Sequence, residues 1–144
     1  MISEMKLSDV STAAELALKL WPEGTIELFI EEMNDLLSDS EAVVYLKYAD
    51  ENVVGFAHCQ LRNDYVEGTD SSPVGYLEGI YVSEPFRKQG IAGELIRACE
   101  GFAARNGCTE FASDCEIDND DSAKMHLKLG FTEAGRIIHF KKTL

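Results

Sequence analysis

The sequence predicts a single α/β (α+β) domain in which a mixed central sheet is flanked by helices. Two patterns indicate this fold: a central block rich in β-branched and aromatic residues, and a strand, turn, helix and strand in succession in the second half. Such a crossover joins parallel neighbours, whereas hairpins join antiparallel ones. No linker divides residues 1–144, a length that suits one domain. We expect about six to seven strands and about four helices.

The first half of the chain is predicted to contain a strand, two helices and a hairpin. Helix starts are read from capping side chains followed by apolar residues at helical spacing, and strands from β-branched runs between turn residues. In chain order we expect a strand at 2–6, a helix capped by Ser8 or Asp9 and reaching about Leu20, a helix capped by Thr25, and paired strands at 42–48 and 52–61.

The second half is predicted to alternate strands and helices. A helix with one apolar stripe begins near Ile91 and ends at Asn106-Gly107, where glycine favours a stop. The other elements expected are strands near 74–82 and 109–113, a helix near 119–129, and two closing strands near 131–134 and 136–142.

The chain is strongly acidic, with a net charge of −13. Such a surface repels phosphate backbones and attracts polycations, which disfavours nucleic acid and favours a small polycationic amine as partner. Generic solubility is the other explanation of the charge. No apolar run could span a bilayer and no export signal is visible, so we expect a cytoplasmic protein without membrane contact. The four cysteines lack metal-site or redox spacing, so we expect no metal.

The segment Arg87-Lys88-Gln89-Gly90-Ile91-Ala92 joins a predicted strand to a predicted helix. The first turn of a helix has unpaired N–H groups and partial positive charge, which together suit an anion such as a pyrophosphate. Glycine allows close approach, and the two cations add donors. The Walker A and G-x-G-x-x-G patterns are both absent, which disfavours a triphosphate loop and a Rossmann dinucleotide site.

A second motif follows the turn. Asn119, Ser122 and His126 share one face of a predicted helix, and Gly130-Phe131 comes after them. The turn, Asn119 and Gly130-Phe131 together resemble the GCN5-related N-acetyltransferase superfamily, whose members use acetyl-coenzyme A. The resemblance implies an acetyl-CoA site made by the preceding strand, the turn and the asparagine, at Ile80, Tyr81, Val82, Arg87, Lys88, Gln89, Gly90, Ile91, Ala92, Gly93 and Asn119.

Further segments resemble the short aminoglycoside 6′-N-acetyltransferases, which are typically dimeric. These segments include Trp21-Pro22, Asn63–Val66, Asp70–Val74 and Glu110–Asp114. The resemblance implies acceptor contacts at Trp21, Tyr65, Glu78 and Asp114, and a homodimer. A further acidic contact of that family falls at about Gly135 here, which leaves the fine substrate preference open.

Three side chains are candidates for acid–base chemistry. Asp114 and Glu78 could each take the proton that an attacking ammonium must lose. The alternatives are a turn cap for Asp114, and for Glu78 a structural ion pair with Arg97 or Arg136. His126 stands where many superfamily members have the tyrosine taken to protonate the leaving thiolate, but it could equally be a packed structural residue.

The function that we expect is direct acetyl transfer from acetyl-CoA to the 6′-amine of an aminoglycoside. No Ser-His-Asp or Cys-His constellation calls for an acyl-enzyme. An acetyltransferase for polyamines or other small cationic amines is one alternative. A catalytically inactive acyl-CoA-binding domain is the other, and only the absence of the usual tyrosine favours it.

Overall fold

The centre of the molecule is a five-stranded sheet with its strands in chain order. The structure is a computed structural model that describes residues 1–144. The strands are β1 (Ile2–Glu4), β2 (Ala42–Ala49), β3 (Asn52–Arg62), β4 (Val74–Val82) and β5 (Phe111–Ser113). Pairing is antiparallel from β1 to β4 and parallel between β4 and β5. The mixed sheet and the parallel crossover expected from the sequence are confirmed.

Four α-helices cover the sheet, as predicted. They are α1 (Val10–Leu20), α2 (Ile26–Leu37), α3 (Ile91–Arg105) and α4 (Asp120–Lys128), and short 3-10 turns lie at Leu7–Asp9 and Glu84–Phe86. The expected cap of α2 is present, because Thr25 Oγ1 accepts the N–H of Leu28 at 3.2 Å. α3 ends at Asn106-Gly107 as predicted, with Gly107 at a φ of +85° that favours glycine. None of the helices is long and apolar enough to cross a membrane.

The core has two halves, one on each face of the sheet. α1 and α2 pack on one face, around fully buried Leu46 and Phe56. α3 packs on the other face, around fully buried Leu95, Cys59 and Cys99. Alternate residues of β2 and β3 point to opposite faces, which is why both strands are apolar along most of their length.

The sheet opens into a fork between β4 and β5. The two strands pair only from Gly75 to Leu77, opposite Phe111 to Ser113. Beyond Leu77, β4 continues to Val82 beside β3 alone. Its other edge therefore has no strand neighbour, and this open edge runs from the fork toward the turn before α3.

The two closing strands predicted near 131–134 and 136–142 are absent, and the sheet has five strands rather than six or seven. The β-branched run at Ile137-Ile138 has the local composition of a strand, but strand pairing requires a backbone partner. No strand of this chain pairs with the segment, and Ile137, Ile138 and Phe140 are 77%, 77% and 91% exposed. A single copy of the chain leaves this apolar segment uncovered.

Candidate active site

The turn before α3 presents a continuous row of unpaired amides. None of the backbone N–H groups from Lys88 to Gly93 has an acceptor within the protein; the first paired one is Glu94, which donates to the carbonyl of Gly90 at 3.1 Å. Lys88 and Gly90 both have positive φ values, +62° and +84°, and so turn their amides to one side. A Cβ on Gly90 would meet nothing within 4 Å, so the space above the turn is open. The arrangement suits a pyrophosphate.

Arg87 and Asn119, which were also expected at this anion site, make hydrogen bonds within the protein. Arg87 Nε donates to the carbonyl of Val82 at 2.8 Å, which fastens the turn to the end of β4. Its guanidinium also lies 5.3 Å from the centre of the Tyr81 ring. Asn119 caps α4, because its Oδ1 accepts the N–H of Ser122 at 3.1 Å. These contacts hold the rim of the site in place, and Lys88 remains an exposed cation on the turn.

The strand residues expected to line the same site lie on the open edge of β4. Ile80, Tyr81 and Val82 lie beyond the last residue that pairs with β5, and the short 3-10 turn at Glu84–Phe86 connects them to the turn before α3. All three are partly buried. An extended ligand that binds the turn amides can therefore run along this edge into the fork.

Glu78 lies at the fork, where a β-bulge redirects β4. His58 pairs with Gly79, but the next residue, Cys59, pairs with Leu77, so Glu78 is an extra residue without an opposite partner. The alternative interpretation, a structural ion pair of Glu78 with Arg97 or Arg136, is wrong in its partner. Its partner is Arg62, at the end of β3, which donates from Nε to Oε1 at 3.0 Å and from Nη2 to Oε2 at 2.7 Å.

The fold places Arg136 and Arg97 where neither pairs with Glu78. Arg136 pairs with Glu133 instead, at 2.5 Å. Arg97 lies on α3, on the far face of the sheet, beside Gly93. Arg62 can pair with Glu78 because it ends β3, the strand that lies next to β4.

Asp114 is joined to the same cluster through a tyrosine that the sequence analysis did not single out. Asp114 follows the last residue of β5, as expected, and Oδ2 accepts the hydroxyl of Tyr76 from β4. Burial, and next this hydrogen bond, raise the pKa of Tyr76 well above its ordinary value, so the hydroxyl stays protonated and donates. The ring of Tyr76 in turn supports Arg62, whose guanidinium carbon lies 3.4 Å from the ring centre.

Trp21 stands beside this cluster at the end of α1. Its ring packs against Phe29 and Phe56, with ring centres 6.0 and 6.4 Å apart, and it is 37% exposed. It also lies over Gly79, where an added Cβ would come within 2.4 Å of the indole. Trp21 is thus partly core and partly wall of a cavity of about 240 Å³, whose other lining residues are Glu32, Met33, Asp35, Leu36, Phe56 and His58.

Tyr65 is separate from the other expected acceptor residues. It lies on the loop between β3 and β4 and is 77% exposed. No hydrogen bond or aromatic contact links it to Trp21, Glu78 or Asp114. The structure therefore brings Glu78, Asp114 and Trp21 together at the fork and leaves Tyr65 outside them.

His126 joins α4 to the end of β5. Nδ1 lies 2.7 Å from the carbonyl oxygen of Ser122, which can only accept, so Nδ1 donates. Nε2 lies 2.8 Å from Ser113 Oγ, within hydrogen-bond distance. The ring also packs edge-on against Phe131, with centres 5.0 Å apart. Both ring nitrogens and the ring face of His126 therefore have partners within the protein, which favours the structural alternative.

Three further side chains of the site lie on β3, and their alternation along the strand is the sequence signal that predicts them. His58, Gln60 and Arg62 recur at every second position, the strand period, and they continue the face that packs against Trp21 and α2. Burial lowers the pKa of His58, so the ring is neutral near pH 7. No group of three or more His, Cys, Asp or Glu side chains is arranged to hold a metal ion.

The site therefore has two ends joined by one strand. Unpaired amides at the turn can bind an anion, and carboxylates at the fork can bind an ammonium group and take its proton. The open edge of β4 lies between them, so ligands bound at the two ends would meet at the fork.

Comparison with known proteins agrees with this geometry. Residues 10–131 match the family model described as the acetyltransferase (GNAT) family. Among curated proteins, the aminoglycoside N(6′)-acetyltransferase type 1 of Serratia marcescens is 43% identical over 134 residues, covering 91% of this chain and 92% of that protein. The protein of the same name from Acinetobacter haemolyticus is 39% identical over 143 residues, covering 94% and 99%.

The similar solved structures include acetyltransferases of the same kind. The acetyltransferase AAC(6′)-Iy, in complex with the bisubstrate analogue CoA-S-monomethyl-acetylneamine, superposes with a TM-score of 0.96 at 35% identity, covering 100% of this chain and 98% of that one. The apo AAC(6′)-IG of Acinetobacter haemolyticus superposes with a TM-score of 0.93 at 38% identity, covering 100% and 99%. With a family model that spans most of the chain and relatives similar over nearly their full length, the chain belongs to the acetyltransferase (GNAT) family.

Proposed function

We propose that the protein transfers the acetyl group of acetyl-CoA directly to the 6′-amine of aminoglycosides. The observation that carries the proposal is the pairing of two complementary ends on β4: the unpaired amides of Lys88 to Gly93, and the carboxylates of Glu78 and Asp114 at the fork. The relatives' names and the bisubstrate analogue bound by AAC(6′)-Iy supply the identity of the two substrates.

On the donor side, the chain's contribution is binding and orientation. The turn amides and the start of α3 hold the pyrophosphate, with Lys88 as an added cation. The open edge of β4, from Ile80 to Val82, offers backbone groups to the pantetheine arm. This edge leads the thioester toward the fork, and a backbone amide on the edge can stabilise the oxyanion that forms during attack.

On the acceptor side, the amine must lose a proton before it can attack, because an ammonium has no lone pair. Asp114 is our candidate for the base, acting directly or through one water molecule, since it is exposed at the end of β5 and held by the Tyr76 hydroxyl. Glu78 binds the cationic acceptor nearby, and Trp21 provides a flat wall for a sugar ring. The net charge of −13 favours an acceptor with several positive charges.

One assay tests the function and separates it from its alternatives. Purified protein and acetyl-CoA are incubated with kanamycin, spermidine or a lysine-rich peptide, and release of the free thiol is followed. We expect turnover with kanamycin. Turnover on spermidine alone would identify a polyamine acetyltransferase, and acetyl-CoA binding without turnover on any amine would identify an inactive acyl-CoA-binding domain.

The role of Asp114 has its own test. Asp114→Asn keeps the hydrogen-bonding shape but removes the base, so kcat should fall by about 100-fold. The KM for acetyl-CoA should not change, because the residue lies at the other end of β4. A rise confined to the acceptor KM would make Asp114 a binding group only.

We also propose that the protein works as a homodimer in the cytoplasm. The strand-like segment around Ile137, Ile138 and Phe140 is exposed, and a second copy could provide both its apolar cover and its backbone partner. The exposed thiol of Cys115 and the need for acetyl-CoA support a reducing compartment. Light scattering should give twice the chain mass, and Phe140→Glu should shift the protein toward the monomer; a monomeric native protein would contradict the proposal.

A further inference from the structure

The carboxylate proposed to bind the acceptor already holds a cation. Arg62 donates to both oxygens of Glu78, at 3.0 Å to Oε1 and 2.7 Å to Oε2. No other side chain of the protein donates to Glu78. An ammonium group that reaches the fork therefore meets a carboxylate whose oxygens are both engaged by a guanidinium.

Arg62 is held in that position by a second contact. Its guanidinium carbon lies 3.4 Å from the centre of the Tyr76 ring, so the cation lies flat on an aromatic face. The hydroxyl of the same tyrosine donates to Asp114. One arginine thus touches both the acceptor-binding carboxylate and the residue that positions the proposed base.

Arg62 can leave the ion pair and remain hydrated, whereas Glu78 cannot remain without a partner. Its side chain is 42% exposed, whereas that of Glu78 is only 19% exposed. A guanidinium that swings outward is hydrated at once, but Glu78 would lose its partner and must find another cation or water. Arg62 is therefore best replaced on Glu78 by another cation.

We propose that Arg62 is an internal competitor for the acceptor: it occupies Glu78 in the empty site and must give up that carboxylate to an ammonium group of the substrate. The proposal rests on the proposed function for the identity of the acceptor. Its consequence is specificity, because only the fraction of molecules with a free Glu78 binds the acceptor, and apparent affinity falls by that fraction. A polycation, with further ammonium groups for the acidic surroundings, displaces Arg62 more readily than a singly charged amine does.

The test compares Arg62→Gln with Arg62→Lys. Glutamine removes the charge, so the acceptor KM should fall by about 1.5- to 5-fold, the range expected when a partly exposed ion pair no longer competes. Lysine keeps the charge and loses the two-point geometry, so its KM should lie between those of Arg62→Gln and the native protein. The KM for acetyl-CoA should stay unchanged in both variants.

Arg105→Gln is the matched control. Arg105 ends α3, on the other face of the sheet, and removing it changes the net charge by the same amount. Its acceptor KM should equal that of the native protein. In a Glu78→Gln background, Arg62→Gln should no longer lower the acceptor KM, because the competition requires the carboxylate.

The outcomes separate this proposal from the proposed function. If the native protein acetylates no amine, the proposed function fails, but calorimetric titration of native protein and Arg62→Gln with kanamycin still decides the role of Arg62. Tighter binding by Arg62→Gln supports competition. Weaker binding, or a raised acceptor KM, would overturn it and make Arg62 a residue that holds Glu78 ready for the substrate.

Discussion

Adding one methyl group at Gly79 tests whether the Trp21 ring forms a wall of the acceptor site. In Gly79→Ala the new Cβ would lie 2.4 Å from Cη2 and 2.8 Å from Cζ2 of Trp21. Carbon atoms in contact are normally about 3.5 to 4.0 Å apart, so the indole must retreat by roughly 1 Å. It cannot move inward, since Phe29 and Phe56 are both buried behind it. We therefore expect the ring to shift toward solvent.

The size of the effect follows from overpacking. Inserting a methyl group into a filled site costs about 1 to 3 kcal/mol, which for a domain of this size lowers Tm by about 3 to 10 °C. The shifted indole should raise the acceptor KM by roughly 10-fold while kcat stays within a few-fold of the native value. Trp21 is the only tryptophan in the chain, so its fluorescence emission should move to longer wavelength.

The control for this substitution is Gly101→Ala, in the middle of α3. There the nearest atom to an added Cβ is the flexible end of Arg105, at 3.2 Å. Alanine is a better helix former than glycine by about 1 kcal/mol, so this variant should be more stable and should keep both KM values. If Gly79→Ala instead kept the native Tm, emission maximum and acceptor KM, the close packing of Trp21 on β4 would be wrong.

Three further predictions concern the turn before α3, the partly buried His58 of β3 and His126 of α4. Gly90→Ala should raise the acetyl-CoA KM by about 10-fold, because Cβ would occupy the open space above the turn where the pyrophosphate would bind. The control is Gly107→Ala, whose φ of +85° matches the +84° of Gly90: it should lose similar stability, about 1 kcal/mol, with no change in KM. Burial lowers the pKa of His58 below its usual 6.5, so its contribution to stability is present above that pH and is lost as the pH falls; between pH 6.5 and 5 the native Tm should drop more steeply than that of His58→Gln, and parallel curves would contradict this. His126→Gln should lose about 1 to 3 kcal/mol of stability with kcat within about threefold, measured by thermal melts and thiol release, whereas a 100-fold loss of kcat at native Tm would make His126 the acid.

The donor end of the site could be predicted from the sequence because its parts are local. The turn amides come from consecutive residues, Lys88 to Gly93, and glycine together with the following apolar stripe marks where α3 begins. An anion site at a helix start needs no information about distant contacts. The same reasoning explains why the caps of α2 and the end of α3 were predicted correctly.

The acceptor end could be predicted only in part, because its contacts cross strands. Arg62 and Glu78 lie 16 residues apart in the chain, and whether they meet depends on the register of β3 against β4. The bulge at Glu78 changes that register by one residue, which moves every later side chain to the other face. The sequence identifies Glu78 as a candidate carboxylate but does not determine which arginine pairs with it.

The C-terminal segment was predicted incorrectly for a related reason. The β-branched residues Ile137 and Ile138 favour a strand when a neighbouring strand is present. Their composition does not show which chain supplies that neighbour. The structure of one copy has no such neighbour for residues 131–144. Strand propensity without pairing is what an interface segment would look like from sequence alone.

The acidic residues of the chain act on a cationic ligand at two distances: over the whole surface and within the site. The net charge of −13 raises the local concentration of polycations over the whole surface, but at physiological salt such attraction is screened beyond roughly 10 Å. Selection at the fork depends on nearer charges, because Arg62 already holds the carboxylate of Glu78 there. Overall acidity therefore favours the arrival of any polycation, whereas the single arginine at the end of β3 decides which of them takes the carboxylate.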